Sequence, residues 1–139
     1  MPSDFNPVVI GAGPAGMFAA LALARMGVPP VLLERGEPIE ERETRVEEFW
    51  AGADPDPESN VLFGEGGSSA LSDGKIYTRT RDHLVSSVLR ELVECGAPSK
   101  ILIESRPHIG SDVIKTVLVA MRQRLEELGV EIRYGARVV

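Results

Sequence analysis

Cysteine and histidine are scarce in this sequence. Its 139 residues include one cysteine, Cys95, and two histidines, His83 and His108, which stand well apart along the chain. One thiol cannot form an intrachain disulfide, and three scattered ligands do not suggest a metal site. Because reducing compartments keep thiols free, this composition predicts a cytoplasmic protein without a metal centre.

Long apolar runs and clusters of basic residues are missing as well. Glycine, proline or charge interrupts every apolar run before it reaches membrane-spanning length, and residues 1–4 lack the basic stretch that opens a signal peptide. The net charge is −6, so a phosphate backbone would repel the chain. We expect neither a membrane nor a nucleic acid as partner, and a small molecule as the substrate.

The beginning of the chain has the pattern of a strand, a helix and a second strand. Residues 7–10 are apolar and predict a strand buried on both faces, residues 14–26 are rich in helix formers, and residues 31–33 predict another buried strand. This order indicates a βαβ unit with parallel strands.

Further helices and one strand are predicted over residues 38–50, 82–95, 111–128 and 130–134. Asp82 is placed to cap the second of these helices, and Ser111 or Asp112 the third. Residues 51–81 form a glycine-rich excursion, and residues 136–139 look like a strand just beginning. We therefore expect residues 1–139 to be the N-terminal part of a larger domain.

Between the first strand and the first helix lies the pattern G-x-G-x-x-G, from Gly11 to Gly16. Gly11 permits a tight turn, Gly13 lets backbone N–H groups approach a pyrophosphate, and Gly16 lets the helix pack closely on the strand. The helix N-terminus then faces the phosphates with its partial positive charge. Glu34 ends the second strand, where a carboxylate accepts hydrogen bonds from a ribose and repels a 2′-phosphate, which argues against NADP.

The pattern predicts a dinucleotide but separates FAD from NAD poorly. FAD is favoured because the motif lies within a few residues of the N-terminus and because a long excursion, rather than a compact βαβ continuation, follows Glu34. The extended form of the motif, with Ala20, Leu23, Ala24 and Gly27 in register, resembles the flavoprotein version. An NAD-binding dehydrogenase domain and a non-catalytic dinucleotide-binding module stay open as alternatives.

Residues 60–67 read Asn-Val-Leu-Phe-Gly-Glu-Gly-Gly, and residues 71–79 read Leu-Ser-Asp-Gly-Lys-Ile-Tyr-Thr-Arg. Together with residues 107–112, these blocks resemble a bacterial family of FAD-dependent dehydrogenases. Within the second glycine-rich block, Ser69 stands where the family usually has glycine.

The resemblance implies a Rossmann-like α/β domain with a central parallel sheet and flanking helices, incomplete here. It implies a full-length oxidoreductase whose substrate domain and C-terminal FAD-binding segment are absent from this sequence, so the fragment alone is expected to be inactive. Hydride would pass to or from FAD, with NAD(P)H as a candidate electron donor. The expected cofactor contacts are Gly11, Ala12, Gly13, Pro14, Ala15, Gly16, Glu34, Arg35, Gly64, Gly66, Gly67, Ser72, Asp73, Gly74 and Lys75.

No residue is identified as catalytic. Lys75 could place a positive charge beside the flavin or face solvent, and His108 could donate a proton or serve only a structural hydrogen bond. Arg42 and Arg45 could reach the pyrophosphate, but ion pairs within their glutamate-rich helix are the simpler interpretation. Cys95 lacks the second thiol of a disulfide reductase and is interpreted as a structural residue.

Overall fold

The computed structural model describes residues 6–71, 74–76, 78–80 and 82–139. Three short strands form a parallel sheet in chain order: β1 (Val8–Ile10), β2 (Val31–Leu33) and β3 (Glu131–Arg133). The register aligns Val9, Leu32 and Ile132 in one row across the sheet. All three side chains belong to the main apolar core or pack against it, and Leu32 at the centre is fully buried.

The helices observed are α1 (Pro14–Arg25), α2 (Ile39–Trp50), α3 (Leu84–Glu94) and α4 (Ser111–Glu127). Helix α1 buries Met17, Ala20, Leu21 and Ala24, whose spacing of three and four residues places them on one face. Helix α4 packs against α1, and both contribute to the core that covers one face of the sheet. Helix α2 packs on α4 from the other side.

The prediction that the first strand is buried on both faces is wrong. Val8 and Ile10 are 55% and 65% exposed, while Val9 between them packs on the core. Within the described part of the chain β1 pairs with β2 alone, so it is an edge strand, and the helices cover only the side of the sheet that carries Val9. The alternation of strand side chains then exposes its two neighbours.

Both predicted helix caps differ from the observed cap positions. Asp82 accepts a hydrogen bond from the Leu84 backbone N–H at 2.8 Å, but His83 holds the cap position of α3. For α4 the prediction is wrong, because Gly110 holds the cap position and Ser111 is already helical. Gly110 has φ +101°, and its backbone nitrogen lies 2.6 Å from where a Cβ of Gly74 would stand, so this tight junction accepts glycine best.

Within its described residues, the excursion after α2 contains one turn of 3₁₀ helix, Gly67–Ser69. Residues 74–76 pair with residues 107–109 in antiparallel fashion: the Ile109 N–H donates to the Gly74 carbonyl at 2.9 Å, and Lys75 bridges His108. The expectation of a strand over residues 136–139 is wrong. After β3 the chain turns at Gly135, which has φ +63°, and continues as an irregular segment that lines the cleft described below.

Across the described ranges, every helix is too short or too polar to cross a bilayer.

Candidate functional site

The loop between β1 and α1 has the geometry of a dinucleotide-binding turn. Gly11 adopts φ +92°, and its N–H donates to the Leu33 carbonyl of β2 at 2.7 Å. A Cβ on Gly16 would stand 1.8 Å from the Gly11 carbonyl oxygen, so the close packing predicted for this glycine is present. A Cβ on Gly13 would meet no atom of the chain within 4 Å. The space beside Gly13 is therefore open to a ligand.

The N-terminus of α1 is prepared for an anion. Gly13 is the cap residue and Pro14 occupies the first turn, where its missing N–H costs nothing. Among the described residues no side chain caps this helix, and its first turn carries no acidic residue. The unbonded N–H groups and the positive end of the helix dipole thus face the open space beside Gly13.

Glu34 braces this loop from β2. Its carboxylate is almost fully buried and accepts hydrogen bonds from the Ala12 N–H at 2.7 Å and the Gly36 N–H at 2.9 Å. Each carboxylate oxygen keeps further acceptor capacity, so contact with a ribose stays a prediction. The structure adds a role that the sequence did not suggest. Glu34 fixes the loop that carries the G-x-G-x-x-G pattern, called the fingerprint loop below, to the turn after β2.

The second glycine-rich block packs directly on the fingerprint. The Gly66 N–H donates to the Ala12 carbonyl at 2.8 Å, and a Cβ on Gly67 would lie 3.5 Å from the Cα of Gly13. Gly36 must also be small, because its Cβ would stand 2.6 Å from the Cα of Gly64. Two glycine motifs separated by about fifty residues therefore form one surface.

A cleft of about 330 Å³ opens along this surface. Six of the predicted contacts line it: Gly11, Gly13, Glu34, Arg35, Gly64 and Gly67. Ile10, Leu33, Leu62 and Phe63 add apolar surface, and residues 136–138 form the remaining wall. The cleft lies at the carboxyl ends of β1 and β2, which is where parallel α/β sheets bind their ligands.

Arg35 is held at the rim of the cleft. Its guanidinium stacks on the ring of Phe63, 4.0 Å from the centroid, and pairs with Glu58 at 2.7 Å. Glu58 also pairs with Arg137 at 2.8 Å, and both arginines lower the pKa of its carboxyl group, Arg35 more strongly. This triad connects β2, the excursion and the segment after β3, and it carries two positive charges beside the cleft.

Arg42 does not form the ion pairs within its helix that the sequence favoured. It is fully buried and donates to three backbone carbonyls of the excursion: Asn60 at 2.8 Å, Glu65 at 2.6 Å and Gly67 at 2.8 Å. Burial lowers the pKa of this guanidinium, while the charges of Glu34 and Glu65 act in the opposite direction. Arg42 thus ties the glycine-rich block to α2.

The spacing of residues along α2 indicates that Arg42 is buried. Ile39, Arg42 and Val46 recur at intervals of three and four residues, and all three lie on the buried face of α2. Arg45 lies on the exposed face and pairs there with Glu37 and Glu48, as expected for a surface arginine.

Glu65 is a buried residue beside the site that sequence reasoning missed. Its fully buried carboxylate accepts hydrogen bonds from the Ile39 N–H at 2.8 Å, the Tyr134 hydroxyl at 2.7 Å and Arg122 at 3.1 Å. It therefore caps α2 and joins it to α4 and to the residue after β3. Burial raises the pKa of Glu65, and burial together with the Glu65 charge raises the pKa of Tyr134.

The remaining predicted contacts lie elsewhere. Pro14, Ala15 and Lys75 line a second, apolar cavity, and Gly74 packs against Gly110. Ser72 and Asp73 fall outside the described residues. Cys95 is buried at the end of α3, where burial raises the pKa of its thiol, in keeping with a structural residue.

Comparisons with known proteins show what this chain is similar to. Residues 4–45, which contain the fingerprint loop, Glu34 and Arg42, match the family described as FAD binding domain. This part of the chain is similar to an FAD binding domain. The predicted α/β class with a parallel sheet and the predicted FAD cofactor are confirmed.

Similar proteins are considerably longer. An uncharacterized protein of Clostridium beijerinckii is 48% identical over 133 residues, which cover 96% of this chain and 25% of that protein. Digeranylgeranylglycerophospholipid reductase of Methanocaldococcus jannaschii is 37% identical over 84 residues, 56% of this chain and 21% of the reductase. The matches of this chain thus span about a quarter or less of the length of these two relatives.

A solved structure shares the fold. The 3-ketosteroid-delta4-(5alpha)-dehydrogenase from Rhodococcus jostii RHA1, determined in complex with 4-androstene-3,17-dione, superposes with a TM-score of 0.54. The match covers 99% of this chain and 40% of the dehydrogenase at 18% identity. At this identity the likeness establishes the arrangement of helices and strands.

Proposed function

We propose that the full-length protein is an FAD-dependent oxidoreductase, a dehydrogenase or reductase, and that this chain holds its FAD-binding portion. The observation that carries the proposal is the meeting of two glycine motifs at the uncapped N-terminus of α1, where Gly13 leaves an open cleft. Two similar proteins, a reductase by sequence and a dehydrogenase by fold, support the reaction class.

Different residues of the chain would bind different parts of the cofactor. The N–H groups at the start of α1 bind the pyrophosphate, and the absence of a side chain at Gly13 lets it come within hydrogen-bonding distance. Glu34 offers its remaining lone pairs to the ribose, while Arg35 and Phe63 form an apolar and cationic wall beside it. Bound FAD would supply hydride transfer, so the chain itself needs no catalytic acid in this unit.

The rest of the protein is part of the proposal. We expect the remainder of the chain to bring a small-molecule substrate to the cofactor, in the cytoplasm, with NAD(P)H as a candidate electron donor and without nucleic acid or membrane partners. The 139 residues alone should be inactive, because the similar proteins devote most of their length to segments outside this unit.

The decisive experiment is the visible spectrum of the purified full-length protein, followed by identification of the nucleotide released on denaturation. Flavin absorbance with FAD released supports the proposal, and anaerobic bleaching by NADH or NADPH then identifies a donor. A colourless protein that takes up NAD and not added FAD contradicts it and leaves an NAD-binding dehydrogenase. Bound FAD that no donor or substrate reduces would indicate a non-catalytic module.

A further inference from the structure

A second cavity, separate from the dinucleotide cleft, lies between three helices. It has a volume of about 450 Å³ and is lined by α1, α3, α4 and by Ser69, Lys75 and Ile76. This volume falls within the range of pockets that bind small molecules, about 300–1,000 Å³.

The lining of this cavity is almost entirely apolar. Side chains from all three helices face it, including Phe18, Leu89 and Met121. Lys75 is the one charged residue and Ser69 the one hydroxyl among the described residues that line it. An apolar ligand would be favoured by this surface, and a carboxylate or similar anion on that ligand would be favoured at the end near Lys75.

The cavity is open because the apolar face of α3 does not pack closely on the other helices. Its sequence is strongly amphipathic, yet Val88, Leu89 and Leu92 are only half-buried although they face the interior of the molecule. Glu91 on the same helix is buried instead and forms ion pairs with Arg25 of α1 and Arg124 of α4. These ion pairs tie α3 to the other two helices, and the space between the helices remains.

The cavity adjoins the proposed cofactor site. Pro14 and Ala15, in the first turn of α1, line the cavity, whereas Gly13, the residue before them, lines the dinucleotide cleft. Ser69 belongs to the 3₁₀ turn that begins at Gly67, which also lines the cleft. A molecule in the cavity would therefore lie within one helical turn of the bound cofactor.

We propose that this cavity binds an apolar small molecule bearing one anionic group, with its apolar body between α1, α3 and α4 and the anion near Lys75. This inference rests on the proposed function in one respect, since it names the substrate class for the oxidoreductase. Binding itself does not require FAD, so the two proposals can fail separately.

The test uses the full-length protein and cis-parinaric acid, an anionic polyene whose fluorescence rises in apolar surroundings. We expect saturable binding at one site per chain. Leu89→Trp, which fills the cavity, should weaken binding at least tenfold. Leu84→Trp is the matched control, because Leu84 lies on the same helix, is 57% exposed and is not part of the lining.

The charge is tested separately. Lys75→Met should weaken binding of the acid at least threefold and leave binding of its uncharged methyl ester unchanged. Lys100→Met is the control, because Lys100 is exposed and pairs with Glu104 away from the cavity. Leu92→Phe serves as a smaller filling variant if Leu89→Trp unfolds, as judged by circular dichroism.

Two results would overturn the inference. One is the absence of saturable binding by the full-length protein, which would indicate that another part of its chain fills the cavity. The other is equal loss of binding in Leu89→Trp and Leu84→Trp. Flavin absorbance recorded on the same samples reports the cofactor independently, so a colourless protein that still binds the probe contradicts the proposed function alone.

Discussion

Replacement of Gly13 by alanine should separate cofactor binding from folding. Gly13 has φ −74° and ψ 176°, which alanine adopts freely, and the added Cβ would meet no protein atom within 4 Å. Gly→Ala at such a position stabilises a protein by about 0.4–1 kcal/mol, because it restricts the unfolded chain. The melting temperature of the variant should therefore equal or exceed that of the wild type by a few degrees.

The same methyl group should interfere with the pyrophosphate. Carbon and phosphate oxygen need about 3.5 Å between them, whereas a backbone N–H bond to phosphate needs about 2.9 Å from nitrogen to oxygen. The phosphate must therefore lie farther from the start of α1, and its hydrogen bonds to the backbone N–H groups become longer and weaker. We expect FAD affinity to fall at least tenfold, or about 1.4 kcal/mol. Isothermal titration of FAD into the deflavinated full-length protein measures this loss, and thermal unfolding followed by circular dichroism measures stability.

The other two glycines without positive φ provide the contrast. In Gly16→Ala the new Cβ would stand 1.8 Å from the Gly11 carbonyl, and in Gly36→Ala 2.6 Å from the Cα of Gly64. Both should lose stability by about 1–3 kcal/mol through overpacking, and FAD binding with it. Full FAD affinity in a folded Gly13→Ala variant would refute the assignment of the open space to the pyrophosphate.

Further changes test the contacts that hold the cleft. Arg42→Met should cost about 3 kcal/mol and speed amide exchange in residues 60–67, because three carbonyls lose a charged donor, whereas Arg45→Met on the exposed face should stay within about 0.5 kcal/mol. Tyr134→Phe should cost about 1 kcal/mol in urea unfolding, since Glu65 keeps its other two donors. Because burial raises the pKa of Glu65, its contribution to stability is present below its unfolded pKa, near 4.5, and is lost as the pH rises through the folded value. The stability of the wild type relative to Glu65→Gln should therefore fall as the pH rises above about 4.5, and the opposite slope would contradict the raised pKa. The isolated 139-residue chain should bind FAD more weakly than about 1 μM, and titration that finds tighter binding would show that this unit suffices.

Local sequence patterns predicted the bounds of helices and strands well, because these bounds depend on residues within the element itself. The bounds of β2 and the ends of α1 and α2 were correct to within a residue, because glycine, proline and helix formers act over a few positions. The burial of β1 could not be predicted in this way. Whether Val8 and Ile10 are covered depends on which strand or helix lies beyond them, and that is a property of the tertiary structure.

The sequence predicted the glycines of the candidate site, but it did not predict the buried charged residues beside them. The fingerprint and the second glycine block each suggested contact with a cofactor, but only the fold shows that Gly66 and Gly67 pack on Ala12 and Gly13. Glu65 stands between two glycines and has no periodic neighbour to indicate burial. Its three partners come from residues 39, 122 and 134, which are distant in sequence.

The buried contacts explain how the cleft keeps its shape. Arg42 and Glu65 hold the glycine-rich block through protein groups alone, and Glu34 holds the fingerprint loop in the same way. Since all of these hydrogen bonds join groups of the protein, we expect both loops to be positioned before the cofactor binds. FAD then binds to a surface that is already ordered, which reduces the entropic cost of binding. Substitutions at Arg42 or Glu65 should therefore lower stability and affinity together, while Gly13→Ala should lower affinity without lowering stability.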